Sequence, residues 1–299
     1  MAMPTDIGVV DLQTGFPYRS IDEKKATYTF FRDNLKDRES LEQMEFPAEY
    51  MFKGVPDLVS EDTDVVAWTL DKMDTYGVAV GMCGLSDKSI EAKRRHPDRF
   101  VLQLSVSPHE GVDGLRRITA AKRDHDIVGV MVFPSGLTPQ VGIDDKLMYP
   151  LYAKCVELGI PMAVNAGIVG PRMPSWPQFV ERLDEVCYDF PELTLVMMHG
   201  AEPWTALAVK LMLKWPGLHY MTSAFAPKHY PKDIIAYANT RGADKIMYCG
   251  YPSGLTYERQ FGELPNVPFH DNVWPKFLRE NAIRVYKIDE AIARATGNS

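Results

Sequence analysis

Long apolar runs are missing from this sequence. No stretch approaches the roughly twenty residues that a membrane-crossing helix needs, and the opening "MAMPTDIG" has neither the basic nor the apolar part of a secretion signal. The expectation is a cytoplasmic protein without a membrane partner. Cysteine is scarce too: Cys83, Cys155, Cys187 and Cys249 show no CxxC spacing. A chain of 299 residues can bury a core without disulfide staples, so the four thiols fit a reducing compartment. Positive charge is short as well, with 33 Lys and Arg against 40 Asp and Glu and no basic block longer than "KRR" at 93–95. Nothing is left over to neutralise a phosphate backbone, which excludes nucleic acid as an expected partner.

Two further absences concern chemistry. The seven histidines form no HxH and no HExxH, so a metal centre of three or more converging ligands has no ready-made motif. No GxGxxG follows the first strand-like run, which argues against a doubly wound dinucleotide-binding fold.

What is present is an alternation. Eight short apolar runs, "IGVVD" (7–11), "VAVGM" (78–82), "FVLQLS" (100–105), "IVGVMVF" (127–133), "PMAVN" (161–165), "LTLVMM" (193–198), "LHYMTS" (218–223) and "KIMYC" (245–249), are separated by amphipathic stretches. Continuous apolar character is the mark of strands buried on both faces. Phe179, Leu183 and Val186 repeat at helical spacing behind Pro177, and "WTALAVKLMLKWPG" behaves likewise until Pro-Gly stops it. Eight β/α units predict an α/β fold of the (β/α)₈ TIM-barrel type over 1–299 as one domain. Residues 13–61, rich in charge and aromatics, interrupt the rhythm and predict an inserted helical segment serving as lid or dimer contact.

Catalytic groups of a barrel come from the C-terminal ends of its strands. That rule nominates Asp11 and Gln13, Cys83, His109, Ser135, Asn165, His199, Ser223, and Cys249 with Tyr251. The set is polar but short of metal ligands.

The stretches "LTLVMMHGAEPW" (193–204), "HYMTSAFAPKHYP" (219–231), "DKIMYCGYP" (244–252) and "ENAIRVYKI" (280–288) resemble successive landmarks of the amidohydrolase superfamily, in its amidohydrolase-2 branch. That branch includes aminocarboxymuconate-semialdehyde and resorcylate decarboxylases, hydratases and lactonases. The likeness implies a distorted (β/α)₈ barrel. It also exposes departures. The family's first strand ends in Asp-x-His-x-His, whereas here Asp11 is followed by Gln13 and Gly15. Asn165 stands where a ligand histidine is expected, His199 matches, and Gly250 in "YCGYP" stands at the catalytic aspartate. Neutral amides are poor zinc ligands beside imidazole or carboxylate. The resemblance therefore implies a polar pocket from which the metal has gone.

The resulting expectation is a hydrolase or lyase without metal or other cofactor, acting on a small cyclic or aromatic, carboxylated compound. His199 is the expected acid/base and Asp11 the orienter or second base. Gln13 and Asn165 are expected to donate to a carbonyl, Arg172 to clamp a carboxylate, and Ser223, Cys249, Tyr251 and Trp204 to line the site. Each has a plainer reading: His199 as a packed core histidine, Cys249 as a small buried filler, Arg172 as a surface ion pair. The rival to the enzyme is an inactive binding protein or the partner of an active paralogue. A third arrangement is a relocated metal site built from Cys83, Cys249, His109 and His199. A homodimer is expected, both because the family commonly pairs and because the insertion must bury its aromatics.

Overall fold

Val, Ile, Leu and Met dominate the strand-like runs, and in the computed structural model, which describes residues 3–42, 48–52 and 55–297, every run contributes a strand. These are β1 (Val9–Asp11), β2 (Val78–Gly84), β3 (Phe100–Ser105), β4 (Gly129–Val132), β5 (Met162–Asn165), β6 (Leu195–Met198), β7 (Leu218–Met221) and β8 (Ile246–Met247). All pair in parallel and in sequential order from β1 to β8. Residues from the strands, including Val10, Val80, Val101, Ala163, Val196, Met221 and Met247, meet in one cluster. Side chains from strands so far apart in the order can share a cluster only inside a curled sheet, so the architecture is a distorted TIM barrel.

The helices in chain order are α1 (Ile21–Thr27) and α2 (Arg38–Glu42) in the insertion, then α3 (Val65–Thr75), α4 (Asp87–Arg95), α5 (Gly111–His125), α6 (Tyr149–Leu158), α7 (Leu183–Asp189), α8 (Thr205–Lys214), α9 (Lys232–Ala238), α10 (Tyr257–Glu263), α11 (Asn281–Tyr286) and α12 (Ile288–Thr296) around the barrel. Tyr286 and Ile288, at the α11–α12 junction, join the interior cluster and plug the barrel floor. The helix expected from Pro177 begins instead at Leu183, behind two 3₁₀ turns at 176–178 and 180–182. Phe179 between them is extended (ψ 127°), with its ring 4.7 Å from that of Trp204. This tilted ring contact outweighs the local helical spacing.

No strand ladder among the described residues joins β8 to β1. Side chains close that seam instead. Arg279 Nη1 donates to the Gly8 carbonyl at 2.8 Å, and Asp11 accepts the Gly250 N–H across the same gap.

The described part of the insertion lies over the C-terminal ends of the strands; residues 43–47 and 53–54 of it lie outside the described residues. Tyr28, Phe31 and Leu35 pack on Val169 and Met173 from the loop after β5, with Phe133 and Tyr251 alongside. Asn34 Nδ2 donates to the Ser135 and Leu137 carbonyls at 3.2 and 2.9 Å, fastening this lid to the loop after β4.

Candidate active site

Strand β1 delivers Asp11 to a fully buried position. A carboxylate out of water needs donors on both oxygens. Oδ1 accepts the N–H of Gln13 at 3.0 Å and of Gly250 at 2.7 Å, and Oδ2 accepts the Tyr257 hydroxyl at 2.6 Å. Burial raises the Asp11 pKa, and the hydrogen bonds from Tyr257, Gln13 and Gly250 pull against it. The Tyr257 phenol is pushed well up by burial and by the Asp11 charge, and it also pairs with Thr14 Oγ1 at 3.0 Å.

Gly250 explains the close fit. A Cβ at this position would stand 2.6 Å from Asp11 Oδ2 and 3.0 Å from the Tyr248 hydroxyl. An aspartate there has no room while Asp11 holds Tyr257.

Strand β6 is followed directly by His199, whose φ of +61° opens a run of three left-handed residues with Gly200 (+94°) and Ala201 (+56°). Such a conformation costs a non-glycine residue about 1–3 kcal/mol and concentrates at functional sites. The loops after β7 and β8 turn similarly at Ala224 (+65°) and Tyr251 (+62°). Ser223 Oγ accepts the His199 backbone N–H at 3.0 Å and lies 2.9 Å from Nδ1, which fixes the ring. Nε2 has no hydrogen-bond partner among the described residues. Burial lowers the His199 pKa to about 4, so the ring is neutral near pH 7.

Cys249 lies between these groups. Its thiol donates to Gln13 Oε1 at 3.8 Å, it also hydrogen-bonds Ser223, and its backbone N–H donates to Thr222 Oγ1 at 3.2 Å. Burial and the Asp11 charge push the thiol pKa well up, which leaves it protonated and a poor nucleophile. Asn165, 7% exposed at the end of β5, has an Oδ1 with no partner. Above His199, the Tyr251 ring approaches edge-on at 5.9 Å between centroids. Tyr251 hydrogen-bonds Tyr28 of the lid, and Tyr28 accepts from Tyr18 at 3.2 Å.

Asp11, Gln13, Cys249, Ser223, His199 and Tyr251 are thus linked by direct contacts. Two expected site residues lie elsewhere. Arg172 is engaged by Asp37 and Glu39 of the lid at 3.0 and 2.7 Å, and its guanidinium sits over the Tyr50 ring, on the exposed side of the loop. Trp204 stands at the start of α8 with its ring tilted against that of Phe179. Tyr257, Thr14, Thr222 and Tyr28 belong to the network although no local motif marks them; the available signal was a strand-end carboxylate with no cation nearby, which had to find donors elsewhere.

A divalent cation suits this donor set poorly. Both Asp11 oxygens are taken, the neighbours are an amide, a protonated thiol and a glycine, and hard cations prefer several oxygen or imidazole ligands at once. Among the described residues no group of three or more His, Cys, Asp or Glu converges. The relocated set does not assemble either: His109 Nε2 bonds the Pro139 carbonyl at 2.7 Å, and Cys83 packs in the outer core cluster.

A family model described as Amidohydrolase matches residues 42–288. No curated protein matches the chain. Among solved structures, an uncharacterized TIM-barrel protein of Bordetella bronchiseptica superposes with a TM-score of 0.68 at 20% identity, over 94% of this chain and 99% of that one. A 5-carboxyvanillate decarboxylase of Novosphingobium aromaticivorans, complexed with manganese and 4-hydroxy-3-methoxy-5-nitrobenzoic acid, gives 0.67 at 13% identity over 95% and 97%. The 4-oxalomesaconate hydratase of Rhodopseudomonas palustris gives 0.63 at 16% identity over 97% and 99%. At these identities the likeness is one of fold.

Proposed function

The chain belongs to the amidohydrolase family, and from that premise we propose that it is a metal-independent member acting as a lyase or hydrolase on a small cyclic or aromatic, carboxylated compound. The observation that carries this reading is the state of the two strand-end groups. Asp11 is saturated by protein donors, while His199 is neutral, held at Nδ1, and has Nε2 to spare. Similarity of fold to a decarboxylase of a carboxylated aromatic and to a hydratase supports the substrate class.

His199 is the acid/base of this proposal. In the empty site its low pKa makes the imidazolium scarce. A bound substrate carboxylate reverses that, because an opposite charge at short range favours the protonated ring. In a lyase step the imidazolium gives its Nε2 proton to the ring carbon as carbon dioxide departs; in hydrolysis the neutral ring takes a proton from water attacking an activated ester or lactone. Gln13 and Asn165 orient the carbonyl or carboxylate through amide N–H groups, and Ser223 holds the ring of His199. Asp11, tied to Tyr257, keeps the strand ends in place.

The test pairs elemental analysis of untagged protein with turnover of hydroxybenzoates and aryl lactones in the presence and absence of chelator. The expected result is far less than one metal atom per chain and chelator-insensitive turnover. Stoichiometric metal on which turnover depends would refute the proposal. The inactive-binder reading is favoured by one feature, the Tyr251 ring lying against His199 beneath the lid aromatics. Saturable ligand binding with no turnover across the panel would select it.

A cytoplasmic homodimer accompanies this proposal. Phe30, Tyr50 and Met51 of the lid are 59%, 61% and 60% exposed, apolar surface that a second copy would cover. Light scattering at micromolar protein should return twice the chain mass.

A further inference from the structure

At the end of the barrel opposite the lid, a cavity of about 220 Å³ opens between the C-terminal turn of α6, the N-terminal ends of β5, β6 and β7, and the α11–α12 junction. Its polar lining is mostly cationic or hydrogen-bonding: Arg284, Lys287, His219 and Thr194. Arg284 Nη2 donates to the Asp244 carbonyl at 2.6 Å and to Asn281 Oδ1 at 3.2 Å. Lys287 Nζ donates to the Gly159 carbonyl at 3.0 Å. Neither forms an ion pair among the described residues, so their hydrogen bonds go to neutral oxygens only. Glu192 is the one carboxylate in the lining; it is solvent-exposed and pairs with neither.

His219 adds an independent sign. It is 5% exposed, lines the cavity, and its Nδ1 has no hydrogen-bond partner. Burial and the positive field of Lys245 and Arg284 depress its pKa to about 3. A buried imidazole beside two uncompensated cations marks a local positive potential with donors to spare, the condition for holding an anion. The volume is below that of drug-sized pockets and suits a compact ligand.

We infer that this cavity is a binding site for a small oxyanion, a phosphate or carboxylate group, held by Arg284 and Lys287 with His219 and Thr194 as neutral donors. Nothing in the proposed catalysis calls for it, since the two sites lie at opposite ends of the barrel. A ligand here bridges α6 to the α11–α12 junction and so pins the plug of the barrel floor.

The experiment is isothermal titration calorimetry of the full chain with inorganic phosphate and, separately, malonate, at ionic strength held constant with sodium chloride. Saturable binding of either is expected, and which one binds identifies the oxyanion class. Lys287→Gln and Arg284→Gln should each weaken binding by about ten-fold or more, as loss of one charge-assisted contact does. Lys287 gives up a single carbonyl contact, so that variant should fold even if Arg284→Gln does not. His199→Ala should bind as the parent does, which separates this site from the catalytic one. No binding above the chloride control, binding unchanged in Lys287→Gln, or binding lost in His199→Ala would overturn the inference.

Discussion

At the scale of single residues, Gly250 and Tyr257 act together on Asp11. Replacing Gly250 by Ala puts a methyl 2.6 Å from Oδ2 and forces the carboxylate off its donors. The expected cost is roughly 1–3 kcal/mol, the usual range for overpacking a filled site, read as a lower urea midpoint at unchanged slope. His199→Ala should lower kcat by about 10²–10⁴-fold if the ring transfers the proton; an unchanged kcat would remove it from the mechanism. Part of this site was legible. Asp11, Gln13, His199, Ser223 and Cys249 could be nominated because strand ends face the chemistry and each ends an apolar run. Tyr257 could not, since it meets Asp11 across 246 positions of sequence and sits in a stretch that reads only as the helix after a turn. Sequence does not place Arg172, because an arginine in a mouth loop reads the same whether it awaits a ligand or, as here, pairs with a lid.

At the scale of elements, the lid is held to the barrel mouth by a mixed set of contacts. Aromatic packing of Tyr28 and Phe31, the Asn34 bonds to the loop after β4, and the Arg172 pairs with Asp37 and Glu39 join it to different loops. The last are exposed and screened. Arg172→Ala should therefore leave kcat and KM near their parent values; a KM raised ten-fold or more for carboxylated substrates alone would restore the arginine to substrate binding. The elements themselves were largely readable, because strands buried on both faces cannot hide their apolar composition. The exceptions share a cause. β8 shrinks to two ladder residues and α7 starts late because tertiary partners, Phe277 for the Tyr248 N–H and Trp204 for the Phe179 ring, take those residues out of regular structure.

For the whole molecule, two neutral histidines, His219 buried and His199 half-buried, make stability depend on pH. The pKa of His199 falls to about 4 and that of His219 to about 3, both from 6.5. Between those values and 6.5 the unfolded chain binds more protons than the folded one, so stability declines as pH drops. The loss begins below about pH 6.5 and amounts to several kcal/mol once both rings are charged. Urea midpoints measured from pH 7.5 to 4.5 should fall steadily, and His219→Asn should flatten that fall if it folds; a flat parent curve would contradict the burial argument. The seam between β8 and β1 has its own consequence. Asp11, Gln13, Cys249 and Gly250 all stand on the one line where side chains, not a strand ladder, hold the barrel shut. Backbone amides there should exchange with deuterium sooner than those of β5 and β6, and each such opening would dismantle the candidate site before it disturbs the sheet. In this barrel the line proposed to do chemistry is also the line expected to unzip first.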